Sequence, residues 1–189
     1  MSNSKIDELG PLAALLGTWE GTKGTDTAPD DDPAKTEISK YRERMVFAET
    51  GAVNNHAQTL YGLRYSTTAW RVGEDGPFHE ELGYWLWDAE NEQVLRCFMV
   101  PRGVTIIAGG TAKKNAKSFE LSSEVGSETY GICSNKFLDE NFKTVRYDLE
   151  VEVRDDGTLH YWEDTVLKVK GLDDLFHHTD ENTLSRVDD

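Results

Sequence analysis

The chain has 189 residues, a formal net charge of −15 at pH 7, and 38% hydrophobic residues, among them five Trp, seven Tyr and seven Phe. This apolar content suffices for one packed domain and excludes a disordered chain, while the negative charge disfavours nucleic acid and anionic membrane surfaces as partners. No apolar stretch is long enough to span a bilayer and no targeting or lipidation signal occurs, so we expect a soluble cytoplasmic protein.

The N-terminal part predicts a short helix followed by a first strand. Residues 1–8 are expected to form a flexible terminus, and Ile6–Leu16 reads as a short apolar helical turn with Pro11 near its start. Its leucines share one side, which suits a plug at the end of a barrel. Gly17–Gly21 then opens a strand in which Trp19 is a large buried anchor.

The acidic stretch Thr25–Pro33 predicts a solvated loop. A calcium site is the alternative, but Asp30, Asp31 and Asp32 are consecutive and lack the spacing of an EF-hand loop. The next predicted strands are Thr36–Ala48, Asn55–Ser66, Thr67–Val72, Val104–Ala108 and Ser118–Val125. The first two are predicted to form a hairpin around Glu49–Gly51.

The stretch Phe78–Val100 predicts two apolar, aromatic-rich strands joined by the polar turn Asp88–Glu92. Large aromatic and charged side chains on both faces of these strands suit a wall between the protein and a cavity. His79 and Glu81 are expected to point to the same side by strand alternation. They could act as an acid–base couple, but no nucleophile or orienting group has a recognisable spacing, so a hydrolase is unsupported.

The C-terminal half gives the clearest strand pattern. Apolar residues alternate with charged ones over Val145–Arg154, which predicts a strand with one wet face, and Thr158–Val169 returns antiparallel after a tight turn. Tyr130–Phe142 is less regular. Gly171–Glu181 is predicted as a connection and Asn182–Val187 as the last strand.

About ten strands at hairpin spacing with one short helix predict an all-β, antiparallel barrel that spans 1–189 as a single domain. A β-sandwich is the competing architecture. The cysteines Cys97 and Cys133 are expected to be free buried thiols rather than a disulfide. Arg71 and Arg102 are possible cations at the mouth of a cavity. Candidate apolar lining residues are Leu95, Cys97, Met99, Val145, Tyr147 and Leu149.

Three segments resemble the nitrobindin family in order and spacing: GPLAALLGTWEG at 10–21, FHEELGYW at 78–85 and FHHTDENTLSRV at 176–187. Members are calycin-like, fatty-acid-binding-protein-like barrels that bind haem b, and one forms the C-terminal domain of a human THAP protein. The resemblance covers most of Leu9–Val187. The acidic loop replaces a family segment after the Trp strand, and an extra residue near the C-terminal histidines blurs which of them matches the family's ligand.

The resemblance implies ferric haem b held by a single proximal histidine, with His178 as the axial iron ligand and His177 as the alternative. It also implies that His79, Glu81 and Trp19 contribute to the cofactor site, with no catalytic residues beyond the haem site. The implied activity is reaction with nitric oxide or peroxynitrite, including isomerisation of peroxynitrite to nitrate.

Two other hypotheses stay open from the sequence. The barrel could be a non-catalytic carrier of a fatty acid or other small hydrophobic ligand without haem. It could instead be a scaffold whose cavity is filled by its own Trp and Tyr side chains. The expected partner is therefore a small hydrophobic or porphyrin ligand, and the protein is expected to be a monomer or homodimer.

Overall fold

The computed structural model describes residues 6–30, 32 and 35–187. Within them, the fold is made of a 3-10 helix, an α-helix and eleven strands, and residues 6–7 are also α-helical. The 3-10 helix spans Gly10–Leu15 and α1 spans Lys136–Asn141. The strands are β1 Gly17–Pro29, β2 Thr36–Asn55, β3 Gln58–Arg71, β4 His79–Asp88, β5 Gln93–Val100, β6 Val104–Thr111, β7 Ser118–Val125, β8 Gly131–Ser134, β9 Phe142–Val153, β10 Thr158–Val169 and β11 Phe176–Val187. In this part of the chain neither helix has the length and apolarity needed to cross a membrane.

The strands form one closed barrel in the order β1-β11-β10-β9-β7-β8-β6-β5-β4-β3-β2. Closure comes from β1, which pairs antiparallel with β2 on one side and with β11 on the other. Trp19 lies opposite Met45 in the first pairing and opposite Arg186 in the second. The predicted antiparallel barrel is confirmed, with one parallel pairing between β7 and β8, and the sandwich is excluded.

The 3-10 helix closes one end of the barrel, as its leucines predict. Leu9, Leu12 and Leu15 are each at most 2% exposed and belong to the main hydrophobic core. Trp19 Nε1 donates a hydrogen bond to the Leu15 carbonyl oxygen at 2.7 Å, which fixes the helix to the first strand. The core therefore fills this end, and a cavity is left towards the other. The prediction of a flexible terminus rests mainly on residues 1–5, which lie outside the described residues.

The predicted turn at Glu49–Gly51 is wrong. Strand β2 continues to Asn55, and β3 starts at Gln58 and runs without a break through the separately predicted strand at Thr67–Val72 as far as Arg71. Gly51 has a φ of +78° at a point where the β2–β3 register shifts. The glycine therefore bends a continuous strand at a bulge instead of ending it.

Two segments that were predicted as connections are partly β-strand. Thr25–Pro29 is the end of β1, because it pairs with both β2 and β11, and the predicted loop is reduced to the residues after it. Asp31, one of the three residues of the calcium alternative, and Pro33 of the predicted loop lie outside the described residues. Phe176–Glu181 likewise belongs to β11, which pairs with β10 over this stretch. Neither segment has an apolar face, so hydrophobic alternation gave no strand signal there.

Candidate functional site

A cavity of about 490 Å³ lies inside the barrel and is lined by residues from the mouth to the core. Such a volume falls within the range of small-molecule and cofactor pockets. The barrel is therefore not filled by its own aromatic side chains, and the scaffold hypothesis loses its basis. The apolar part of the wall includes Met45, Phe47, Phe98, Val100, Ile106 and Leu149.

The prediction of which residues of strand β5 face the cavity is wrong by one position. Val94, Arg96 and Phe98 point into the barrel and are at most 4% exposed, whereas Met99 is 51% exposed on the outer face. Leu95 and Cys97 share the outer face with Met99, and Val145 of β9 is also absent from the cavity wall. Tyr147 and Leu149 line the cavity as predicted. Both cysteines are free, as predicted, but neither is fully buried, since Cys97 is partly exposed and Cys133 is exposed.

The inner face of β5 was misassigned because it carries a buried arginine. Arg96 is 3% exposed. Its Nη2 donates to Glu81 Oε2 at 2.5 Å and its Nη1 donates to Glu163 Oε2 at 2.8 Å. Its Nε donates to the Tyr65 hydroxyl at 3.2 Å, and Nη1 also contacts the Tyr147 hydroxyl. Two carboxylates and two hydroxyls thus surround one guanidinium, as a buried charge requires.

His79 extends this network towards the mouth. Its Nε2 lies 3.1 Å from Glu81 Oε1, so the predicted pairing of the two side chains on one face is confirmed. Burial raises the pKa of Glu81, but the charge of Arg96 and the hydrogen bond from His79 outweigh this and lower the pKa of Glu81 to about 2. Burial lowers the pKa of His79, but Glu81 outweighs it, so the net pKa of His79 is raised.

We expect Glu81 to make the stability of the protein depend on pH in the acid range. Its folded pKa lies below its ordinary value of 4.5, so the stability it contributes is present above pH 4.5 and is lost as pH falls towards 2. A shift of this size corresponds to about 3 kcal/mol. Urea unfolding between pH 2 and pH 6 measures how the unfolding free energy changes with pH. In the Glu81→Gln variant the slope of this dependence should be much smaller. An unchanged slope in that variant would contradict the assignment.

A second buried polar group lies in the cavity wall beside the first, since Thr67, which bonds Glu43, pairs with Glu81 on the next strand. Glu43 accepts hydrogen bonds from Thr67 Oγ1 at 2.8 Å, from the Tyr161 hydroxyl at 2.7 Å and from Asn182 Nδ2 at 3.1 Å. The Tyr41 and Tyr161 hydroxyls are 2.7 Å apart. Burial raises the pKa of Glu43, and the three donors oppose that rise. The carboxyl group is thus fully satisfied within the protein.

His178 lies in the cavity wall near the mouth, on β11. Its side chain is 32% exposed, and its Nε2 is 2.8 Å from Oδ1 of the buried Asp26 on β1. Asp180 lies opposite Asp26 in the β1–β11 pairing. Burial and the neighbouring carboxylates raise the pKa of Asp180 well above its ordinary range.

Asp26, His178 and Asp180 each offer one ligand atom, and these atoms all lie within 4.8 Å of one another. An imidazole nitrogen is suited to haem iron, and carboxylate oxygens are suited to a hard divalent cation. The cluster therefore has donors for either kind of metal centre.

Strand alternation separates the two neighbouring histidines. His177 is outside the cavity wall, its side chain is 58% exposed, and its Nδ1 lies 2.6 Å from Asp164 Oδ2. His178 is the histidine of this pair that faces the cavity. Trp19, which the resemblance placed at the cofactor site, lies elsewhere, in the core beneath the 3-10 helix.

Two arginines stand at the mouth, where they were predicted. Arg71 stacks on the ring of Phe78 at 4.7 Å, and Arg102 stacks on the ring of Phe142 at 5.4 Å. All four side chains line the cavity. Arg71 Nη2 also lies 3.4 Å from Glu37 Oε1. The mouth therefore combines aromatic surface with two guanidinium groups, of which Arg71 is paired with a carboxylate.

Several cavity residues were missed by sequence reasoning. They are Asp26, Glu43, Arg96, Tyr161, Glu163 and Asp180. One available signal was the spacing of His178, Asp180 and Asn182, which places three polar side chains on one face of a strand. No comparable local signal marks Arg96, because its charged partners lie on other strands.

Comparison with known proteins identifies the family. Residues 8–186 match the family model described as THAP4-like, heme-binding beta-barrel domain. A protein named peroxynitrite isomerase from Clavibacter michiganensis subsp. michiganensis is 41% identical over 80 residues, and one of the same name from Clavibacter sepedonicus is 39% identical over 80 residues. Each alignment covers 41% of this chain and 35% of the relative, so the matched segment spans about a third of the relatives' length.

The crystal structure of Rv2717c from M. tuberculosis superposes with a TM-score of 0.67 at 24% identity, and the alignment covers 94% of this chain and 95% of that one. This likeness establishes a shared fold. The family match extends over almost the whole barrel and includes the segments 10–21 and 78–85 and all but the last residue of 176–187, in which the sequence resembles nitrobindins. The chain belongs to the family of THAP4-like haem-binding β-barrel domains, the nitrobindin family.

Proposed function

We propose that the cavity binds haem b and that His178 is the axial ligand of the iron. The observation that carries the proposal is a half-buried imidazole in the wall of a ligand-sized cavity, in a chain of a haem-binding family. The Asp26 carboxylate can only accept a hydrogen bond, so Nε2 of His178 donates to it. Nδ1 is then the ring nitrogen left for the iron, since either ring nitrogen of a histidine can bind a metal.

The residues around His178 fit a haem group in chemistry as well as in size. Apolar side chains such as Met45, Phe47 and Ile106 offer contact surface for a porphyrin. Arg71 and Arg102 at the mouth offer positive charge to its propionates. The deeper carboxylates Glu81 and Glu163 share the guanidinium of Arg96, which offsets part of their negative charge within the wall.

We further propose that the haem-loaded protein isomerises peroxynitrite to nitrate, which the names of the relatives suggest. When bound, ferric haem supplies an iron atom that binds and redirects the oxidant. The rearrangement neither adds nor removes atoms, so the protein has to bind and orient an anion. The guanidinium groups of Arg71 and Arg102 attract the anion to the mouth, and His79, whose pKa Glu81 raises, offers a hydrogen-bond donor in the cavity wall.

A haem titration followed by a product assay tests both parts of the proposal. Adding ferric haem to the apo protein should produce a Soret band that saturates at one haem per chain. The loaded protein should then raise the yield of nitrate relative to nitrite during peroxynitrite decay. A band that never saturates would overturn haem binding, and a saturating band with an unchanged nitrate yield would overturn the activity alone.

The geometry disfavours the fatty-acid carrier. A fatty-acid carboxylate inside the barrel needs a buried cation, but Arg96 is already paired with Glu81 and Glu163. A third carboxylate at this point would be repelled by the other two. We expect oleate to bind at least about 100-fold more weakly than haem, a difference of about 3 kcal/mol. Displacement of haem by equimolar oleate, followed by absorbance, would contradict this and favour the carrier.

A further inference from the structure

The side chain behind His178 gives the cavity a second feature. Asp26 is 5% exposed on the inner face of β1, and its Oδ1 is 2.8 Å from His178 Nε2. Backbone pairing holds the two strands in register, with Thr25 opposite Glu181 and Asp26 opposite Asp180. The pairing of β1 with β11 thus holds the Asp26 carboxylate against the imidazole of His178.

A carboxylate in this position changes the chemistry of a metal-bound imidazole. A histidine that donates its second ring nitrogen to a carboxylate is fixed in tautomer and orientation, and it becomes a stronger electron donor to the metal. A buried negative charge beside haem iron also stabilises the ferric form relative to the ferrous form, because the ferric form carries one more positive charge. Both effects favour the ferric form of the iron.

We propose that Asp26 is a positioning residue that orients His178 for the iron, strengthens its electron donation and so holds the haem in its ferric state. This inference rests on the proposed ligation of haem by His178. Asp180 shares the cluster with Asp26 and His178, but its Oδ1 accepts from the Tyr41 hydroxyl at 3.4 Å, whereas it is Asp26 that is bonded to the imidazole. The other carboxylates of the cavity are placed differently: Glu81 and Glu163 are bonded to Arg96, and Glu43 is bonded to Thr67, Tyr161 and Asn182.

The test compares Asp26→Asn with a matched control, Glu43→Gln, in the full chain loaded with haem. Each substitution replaces one buried carboxyl group of the cavity by an amide at nearly constant volume, and of the two residues only Asp26 contacts His178. For Asp26→Asn we expect the haem dissociation constant to rise about 10- to 100-fold. We also expect the ferric–ferrous equilibrium to shift at least tenfold towards ferrous, about 59 mV for one electron.

Resonance Raman spectra of the ferrous form supply a readout that a purely structural role would not move. The iron–histidine stretching frequency should fall in Asp26→Asn and stay at the wild-type value in Glu43→Gln. If Asp26→Asn binds haem with the wild-type potential and stretching frequency, the inference is overturned while haem binding stands. If the wild-type protein binds no haem, both are overturned.

A measurement on the wild-type protein keeps the inference testable should Asp26→Asn fail to fold. Nitrogen-15 NMR of the haem-free protein reports which ring nitrogen of His178 carries the proton. We expect a protonated, slowly exchanging Nε2 that donates to Asp26. A neutral ring protonated on Nδ1 would overturn the proposed geometry.

Discussion

Replacing His178 with alanine should abolish saturable haem binding, and replacing His177 should leave it intact. The first substitution removes the imidazole that faces the cavity, and the second removes one that is paired with Asp164 outside the cavity wall. Loss of the axial bond should weaken haem binding more than about 100-fold, beyond the usual effect of losing a residue that only supports a metal ligand. Absorbance titration of the two variants with ferric haem measures the difference.

Imidazole rescue separates loss of the ligand from loss of the fold. His178→Gly leaves space for free imidazole, which should restore the Soret band in proportion to its concentration. The His178 variants should keep the wild-type circular dichroism spectrum, because the side chain is only half-buried. A band that survives in His178→Ala and disappears in His177→Ala would contradict the assignment of the cavity-facing histidine.

Replacing Arg96 with methionine should cause the largest loss of stability of any single substitution proposed. The methionine fills a similar volume but leaves Glu81 and Glu163 buried without a cation. Breaking a buried ion pair from one side costs about 3–5 kcal/mol, because the remaining charge stays out of water. Urea unfolding at pH 7 should therefore show a midpoint far below that of the wild type, if the variant folds at all.

An arginine on the outer face of barrel strand β2 provides the control. Arg42 is exposed and stacks on Trp70 at 4.3 Å, so Arg42→Met should change the unfolding free energy by only about 0.5 kcal/mol. The triple variant Glu81→Gln, Glu163→Gln, Arg96→Met should recover much of the loss, because no unpaired charge is then left in the wall. If Arg42→Met and Arg96→Met lowered the unfolding free energy equally, the ion pairs of Arg96 with Glu81 and Glu163 would not be what stabilises the cavity wall.

The sequence predicted the fold where each strand has one apolar face. Val145–Arg154 alternates regularly and Thr158–Val169 returns after a tight turn, and the structure places them in β9, as far as Val153, and in β10. The early part of β11 has no such face, because His178 and Asp180 point inward. A strand that presents polar groups to a cavity cannot be found by a pattern that assumes an apolar interior.

The candidate site was predictable only where a local or family signal existed. His79 and Glu81 are two residues apart on one strand, so alternation was enough to place them together. Arg96 pairs with Glu81 fifteen residues away and with Glu163 sixty-seven residues away, contacts that exist only after the barrel has closed. Asp26 meets His178 across 152 residues for the same reason. The chemistry of this cavity is therefore set by tertiary pairing of charges that look solvent-exposed in the sequence.

A crystal structure of the haem-loaded protein tests the central claim most directly. We predict one haem within the barrel cavity, with its iron bonded to a ring nitrogen of His178 and the Asp26 carboxylate bonded to the other nitrogen of the same ring. Haem bound on the outer surface, or iron held by a side chain other than His178, would contradict the proposed function.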